Sequence, residues 1–342
     1  MNVPRLTEDR AWCAAELPRV SRTFALNIRL LAGTFREAVG IGYLLCRAAD
    51  TLEDSWPGSA DEIRERFALL LDSLGDDGAP AESLAARARG TAGGGRELEL
   101  VAGLPRVLRV WRALPNGDRE ILAECVRTMA TGMCRYASRA AERPPGAPYL
   151  DTEDELRDYC WVVAGCVGVM LTRLFNVRAP VGDPALERRQ VELAPSVGEA
   201  LQLTNILLDW SADARRGRCY LPAAWLAEHG LEPHDLVGSA RPGVAALELR
   251  LEQRARAALA LVPDYLDALP PFALRYRLFA LLPALWGLAS LEHARTDPEF
   301  PWGARRPRLP RSRLWGEALG GLLGHHGAAL RRLRAAVDPV GA

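Results

Sequence analysis

Along most of the chain, apolar positions return every three to four residues. The repeat holds over several turns in REAVGIGYLLCRAADTLED (36–54) and in VGEALQLTNILLDWSAD (197–213), which is the period of an amphipathic or buried helix. Sustained alternation of β-branched and polar residues is missing, so the pattern predicts no sheet. The expected fold class is all-α. Breaks fall where Gly and Pro collect: Trp56-Pro57-Gly58, GTAGGG (90–95), RPPGAP (143–148) and ARRPRLPRS (304–312). None is long enough for an interdomain linker, and no fixed-period repeat or heptad run is present. The reading is therefore one helical domain over residues 1–342, with its core at about 15–300 and a basic loop and C-terminal helix in 301–342. Within the last part, LWGEALGGLLGHHGAALRRLRAAV (314–337) has an amphipathic pattern weakened by its glycines.

Two segments place acids where the pattern asks for apolar residues. Tyr43, Arg47, Asp50 and Asp54 stand at i, i+4, i+7 and i+11, one stripe of a helix. Leu44, Leu45, Ala48 and Ala49 flank them, which predicts a mostly buried helix whose polar stripe lines a cavity. Gln202, Asn205, Asp209 and Asp213 form a second stripe at i, i+3, i+7 and i+11. Carboxylates four residues apart repel on an isolated helix, so such pairs within apolar helices call for a compensating cation. Mg²⁺ suits them, because it prefers oxygen ligands and binds substrate phosphates beside one or two carboxylates. The plainer alternative is a solvated face paired with neighbouring arginines. Arg47 and the ARRGR run (214–218) also suit diphosphate oxygens.

Composition narrows the choices. The 342 residues are 49% hydrophobic with a formal net charge of zero, so no long-range field recruits nucleic acid. A polyanionic substrate needs a local basic site. No lysine occurs, which excludes lysine Schiff-base chemistry. The seven cysteines show neither a C-x-x-C pair nor zinc spacing, and the five histidines form no ligand pattern. The N-terminus has no signal-peptide pattern, and a cytoplasmic location is expected. The longest apolar stretch, 278–291, contains Pro283 and is shorter than the roughly 20 residues of a membrane span, so no transmembrane helix is expected.

On SRTFAL (21–26), YLLCRAADTLED (43–54), YCWVVAGCVG (159–168), LQLTNILLDWSADARRGRCYLP (201–222) and RLFALLPALWGLASLEHA (277–294), the chain resembles the squalene/phytoene synthase family. That resemblance implies an isoprenoid-synthase helical bundle around a central cavity. It implies two facing metal-binding motifs, Asp50, Glu53 and Asp54 opposite Asp209 and Asp213. Ser21, Arg22, Tyr43, Arg47, Gln202, Asn205 and Arg218 would help hold diphosphates or their metals, Tyr159 would stand near the departing diphosphate, and Phe24 and Phe279 would line the carbocation channel. Singly, the two phenylalanines read equally well as core aromatics. The second motif departs from the family pattern: Leu208 stands where Arg is common and Ala212 where Glu is common.

The resemblance implies Mg²⁺-dependent head-to-head joining of two prenyl diphosphates, farnesyl diphosphate being favoured. The route is a cyclopropylcarbinyl diphosphate reduced with NADPH to squalene. RLFALLPALWGLASLEHA followed by the basic PRLPRSRLW (307–315) resembles the family's nicotinamide-contacting region, which would make Arg308 and Arg311 candidate cofactor phosphate contacts, a solvated basic loop being the alternative. Phytoene or dehydrosqualene synthesis without NADPH, a single-substrate terpene cyclase and a non-catalytic helical scaffold are the competing readings. A hydrophobic product implies transient peripheral contact with a membrane. Oligomeric state is not legible.

Overall fold

The computed structural model describes residues 3–75, 77–91, 95–180, 182–310, 312–314, 316–317 and 326–337. Helices dominate and, among these residues, no strand forms, as the periodicity predicts. The described residues fall into two compact units, 1–142 with 170–180, and 143–169 with 181–342.

In the first unit the helices are α1 (Val3–Val20), α2 (Arg22–Ile28), α3 (Gly33–Asp54), α4 (Ala60–Asp72), α5 (Ala79–Gly90), α6 (Arg96–Ala102), α7 (Leu104–Arg112) and α8 (Asn116–Glu142). The expected break at Trp56-Pro57-Gly58 separates α3 from α4, and α4 opens on a reciprocal capping box. Ser59 Oγ accepts from the Glu62 amide and Glu62 returns a bond to the Ser59 amide, which satisfies two donors the helix cannot use. The core forms where α3 and α4 meet α8. Leu44, Leu45, Ala48, Ala49 and Leu52 of α3 are buried there, as are Phe67 and Leu70 of α4 and Leu122, Val126 and Met133 of α8. The apolar flanks of the first acidic stripe are thus core residues, which fixes the stripe's orientation.

The second unit is organised by α11 (Pro184–Arg215), which packs along α13 (Pro242–Ala268) and also against α14 (Leu274–Ala294). Asp183 caps α11, accepting from the Ala185 amide at 2.8 Å. In α13, Leu247, Leu251, Ala255, Leu259, Val262 and Leu266 make one buried stripe at helical spacing. The short α12 (Ala223–Glu228) follows α11. The helix α9 (Glu153–Cys160) runs into a π turn, Trp161–Gly165, and continues as α10 (Cys166–Arg178).

The π turn lies against α11, and glycines permit the approach. A Cβ at Gly198 would stand 2.1 Å from the Ala164 carbonyl oxygen, and one at Gly168 would stand 2.2 Å from that of Ala194. The apolar stretch 278–291 proves to be a core segment of α14. The helical run Glu153–Arg178, 26 residues, is the one long and apolar enough to cross a membrane by length and composition among the described residues. It is a candidate by those two properties alone, and 44% of its apolar window is buried within the protein, as in a core helix. Of the expected amphipathic helix (314–337), the described residues 314, 316–317 and His326–Arg334 are helical, and a 3₁₀ turn follows.

Candidate functional site

The first acidic stripe occupies the last three turns of α3. Tyr43 and Arg47 stand half-buried upstream, Asp50 is half-buried, Glu53 is buried (7% exposed), and Asp54 ends the helix. Arg47 is ion-paired with Asp50 and lies 3.6 Å from Glu97. Burial works against the Arg47 charge, yet Asp50, Tyr43, Glu97 and Asp54 outweigh it and hold the guanidinium above the ordinary arginine value. Arg47 Nε is buried without an acceptor among the described residues, and a buried donor left unmade costs free energy until an acceptor arrives.

Ser21 is the N-cap of α2, accepting from the Phe24 amide at 3.3 Å, and shares a side-chain hydrogen bond with Tyr43. Burial raises the Tyr43 phenol, against the opposing effects of Ser21 and Arg47. Phe24 stacks on Tyr43 with ring centroids 5.6 Å apart and remains 38% exposed. The structure therefore gathers Ser21, Phe24, Tyr43, Arg47, Asp50, Glu53 and Asp54 on α2 and one face of α3. The Arg22 side chain lies outside the described residues.

The second stripe lies toward the end of α11. Gln202 is half-buried and Asn205 exposed, with Asp209 and Asp213 half-buried below them. The Asp213 carbonyl accepts from the amides of Arg216 and Arg218, each at 2.9 Å. Gly217, at φ +74°, turns the chain back there, a conformation that glycine adopts without a Cβ clash. Arg218 lines a small cleft with Asp213, Trp210 and Tyr220. Leu208 is buried, so this departure from the family pattern faces the core and not the acidic stripe.

Tyr159, 3% exposed at the end of α9, stacks on Tyr220 at 5.3 Å, and Tyr220 in turn meets Tyr149 at 4.9 Å. Phe279 is a buried core residue of α14, stacked on Tyr276 at 6.0 Å. Arg308 is exposed, and Arg311 lies outside the described residues.

Three residues escaped the sequence reading. Tyr220 lies inside the quoted RCYLP run but carries no signal of its own. Glu199 sits on α11 one turn before Gln202, with a carboxylate oxygen 3.5 Å from where a Gly165 Cβ would be; burial raises its carboxyl, with Arg157 opposing. Arg306 reaches Asp209 at 2.8 Å from the segment after α14.

Among the described residues no group of three or more His, Cys, Asp or Glu forms a metal-binding constellation. The first stripe carries Asp50, Glu53 and Asp54 and the second Asp209 and Asp213, and Mg²⁺ ordinarily takes only one or two carboxylates when phosphates and water complete its shell. Together with the unmet donor on Arg47, the α3 set fits a Mg²⁺–diphosphate pair. Arg308 is exposed, and around it the described residues offer no comparable cradle for a nicotinamide.

Comparison with known proteins bears on the whole arrangement. The family model for squalene/phytoene synthase matches residues 17–313. Squalene synthase BSS of Botryococcus braunii is 34% identical over 208 residues, 60% of this chain and 41% of that protein. Phytoene synthase of Thermus thermophilus is 45% identical over 113 residues, 33% of this chain and 36% of its own length. The chain thus spans less than half the length of these relatives. Among solved structures, TcSQS bound to BPH1237 superposes with a TM-score of 0.81 at 23% identity, covering 98% of this chain and 94% of that one. This likeness establishes the all-α terpenoid-synthase fold. The match over residues 17–313, which takes in both acidic stripes, places this chain in the squalene/phytoene synthase family.

Proposed function

We propose that this chain, acting as one catalytic domain, joins two farnesyl diphosphates head to head through a cyclopropylcarbinyl diphosphate to give squalene. The observation that carries the reading is the α3 site, where a half-buried arginine whose buried Nε donor has no acceptor among the described residues stands among Asp50, Glu53 and Asp54. Arg47, Tyr43 and Ser21 would bind diphosphate oxygens by hydrogen bonds and charge. Asp50, Glu53, Asp54, Asp209 and Asp213 would hold Mg²⁺, which supplies charge neutralisation to the leaving diphosphate. The Tyr159–Tyr220–Tyr149 stack offers ring faces that favour a nearby cation and exclude water from it. Squalene requires hydride at the final carbocation, and NADPH is its expected source. A hydrophobic product favours a place at a membrane surface.

Incubation with Mg²⁺ and either farnesyl or geranylgeranyl diphosphate, with and without NADPH, tests the reading. A C30 cyclopropylcarbinyl diphosphate that accumulates from farnesyl diphosphate without NADPH, replaced by squalene when NADPH is present, supports it. A C40 product made from the longer substrate alone, indifferent to NADPH, refutes it and establishes the second reading, a phytoene synthase, which the 45% identity to the Thermus enzyme favours.

A further inference from the structure

The segment after α14 returns to the second acidic stripe. Arg215, near the end of α11, donates to the carbonyls of Gly303 (2.9 Å) and Trp302 (3.2 Å), and the Gly238 amide donates to Trp302 at 3.1 Å. Pro301 beside them is buried. These bonds fix residues 301–303 over the end of α11 without using the Arg306 side chain. Three residues further on, Arg306 Nε meets Asp209 Oδ1 at 2.8 Å, with both side chains partly open to solvent. Arg216 lies 4.0 Å from Asp213, the other acid of the stripe.

Asp209 is thus a candidate metal ligand already holding a cation supplied by its own chain. We propose that Arg306 is a resident counter-ion of Asp209 which an incoming divalent cation must displace, so that it sets the metal affinity of the second stripe. The proposal rests on the reading of Asp209 as a metal ligand. The anchor at 301–303 lets the guanidinium leave without the segment detaching. The exchange is simple: one N–H···O⁻ contact breaks, a metal–carboxylate contact forms, and the freed guanidinium returns to water. A half-exposed pair of this kind is weak, so the metal can win, and the expected penalty on its binding is roughly two- to fivefold.

The test uses Mn²⁺ as a paramagnetic stand-in for Mg²⁺. The full chain carries Asp50→Asn and Asp54→Asn, so that the second stripe is read alone, and free Mn²⁺ is followed by electron paramagnetic resonance. Arg306→Gln is expected to tighten binding roughly two- to fivefold, Arg306→Lys to keep the parent affinity, and Asp209→Asn to remove binding. The advantage of Arg306→Gln should shrink as KCl rises, because salt screens an exposed pair, and an unchanged circular-dichroism melting temperature shows that the fold is intact. Affinity equal to or weaker than the parent in a folded Arg306→Gln protein, with Asp209→Asn still disabling, overturns the counter-ion and leaves the metal reading standing. Binding indifferent to Asp209→Asn removes the metal reading and the counter-ion with it.

Discussion

Replacing Gly198 with alanine should destabilise the protein, although alanine is the better helix former. At an open helical position the change gains up to about 1 kcal/mol. At Gly198 the new methyl would lie 2.1 Å from the Ala164 oxygen, 2.5 Å from its carbonyl carbon and 2.9 Å from the Gly165 nitrogen. All three are backbone atoms, so no side chain can rotate away. An ordinary carbon–oxygen contact is about 3.3 Å, so α11 and the π turn must part by roughly 1 Å. Overpacking of this kind costs about 1–3 kcal/mol, and the absence of a yielding side chain places it near the top. After the helix-propensity gain, about 2 kcal/mol remains, a fall of roughly 4–8 °C in melting temperature for a unit of this size. Circular-dichroism melting of Gly198→Ala beside Gly117→Ala measures it. Gly117, near the start of α8, has nothing within 4 Å of its would-be Cβ and should be neutral or slightly stabilised. A Gly198→Ala protein as stable as wild type would refute the close approach, and with it the way the π turn sets Tyr159 beside Tyr220.

Three further outcomes follow from the same structure. Glu248 is pushed up to about 7 by burial and then by the neighbouring Glu252, with which it shares a hydrogen bond; Arg295 and Arg256 oppose the shift. Because the folded form holds this proton more tightly than the unfolded chain, the stability it contributes is full below about pH 4.5 and lost as pH rises through about 7. Glu248→Gln should flatten that decline and be the more stable protein at pH 8, by about 1–3 kcal/mol in urea titrations; an unchanged pH profile would contradict the shared proton. Ser59→Ala removes one half of the capping box on α4 and should cost about 1 kcal/mol in the same assay, against a negligible effect if the cap is idle. Tyr43→Phe keeps the stack on Phe24 but loses the hydroxyl that meets Ser21. It should lower turnover of prenyl diphosphate by about tenfold while leaving the melting temperature within about 2 °C, as the loss of one hydrogen bond to a charged group implies.

The helix faces were legible because periodicity reports burial directly. Leu44, Leu45, Ala48 and Ala49 are core residues as their spacing demands, and both acidic stripes lie on single helices. Where a helix is apolar all round, the pattern loses its direction. In α14 it could not say whether Phe279 faces a channel or the core, and the residue proves to be buried on Tyr276. The π turn at Trp161–Gly165 is invisible to any 3.6-residue template, since it shifts the register by one residue within an unbroken apolar run. The Arg306–Asp209 pair joins positions far apart in sequence, and only packing brings them together. Leu208 shows the converse: conspicuous as a departure from the family pattern, it is accommodated as an ordinary core leucine.

The central claim is that carboxylates of both stripes serve metal-assisted ionisation of a prenyl diphosphate. Release of inorganic diphosphate from farnesyl diphosphate, measured with Mg²⁺ or with EDTA on wild type, Asp50→Asn and Asp209→Asn, tests it most directly. The account predicts release with Mg²⁺ only, and a loss of about 10²-fold or more in each variant, the scale on which removing one charge-stabilising group acts. Wild-type release by both variants, with their folds intact, would contradict it.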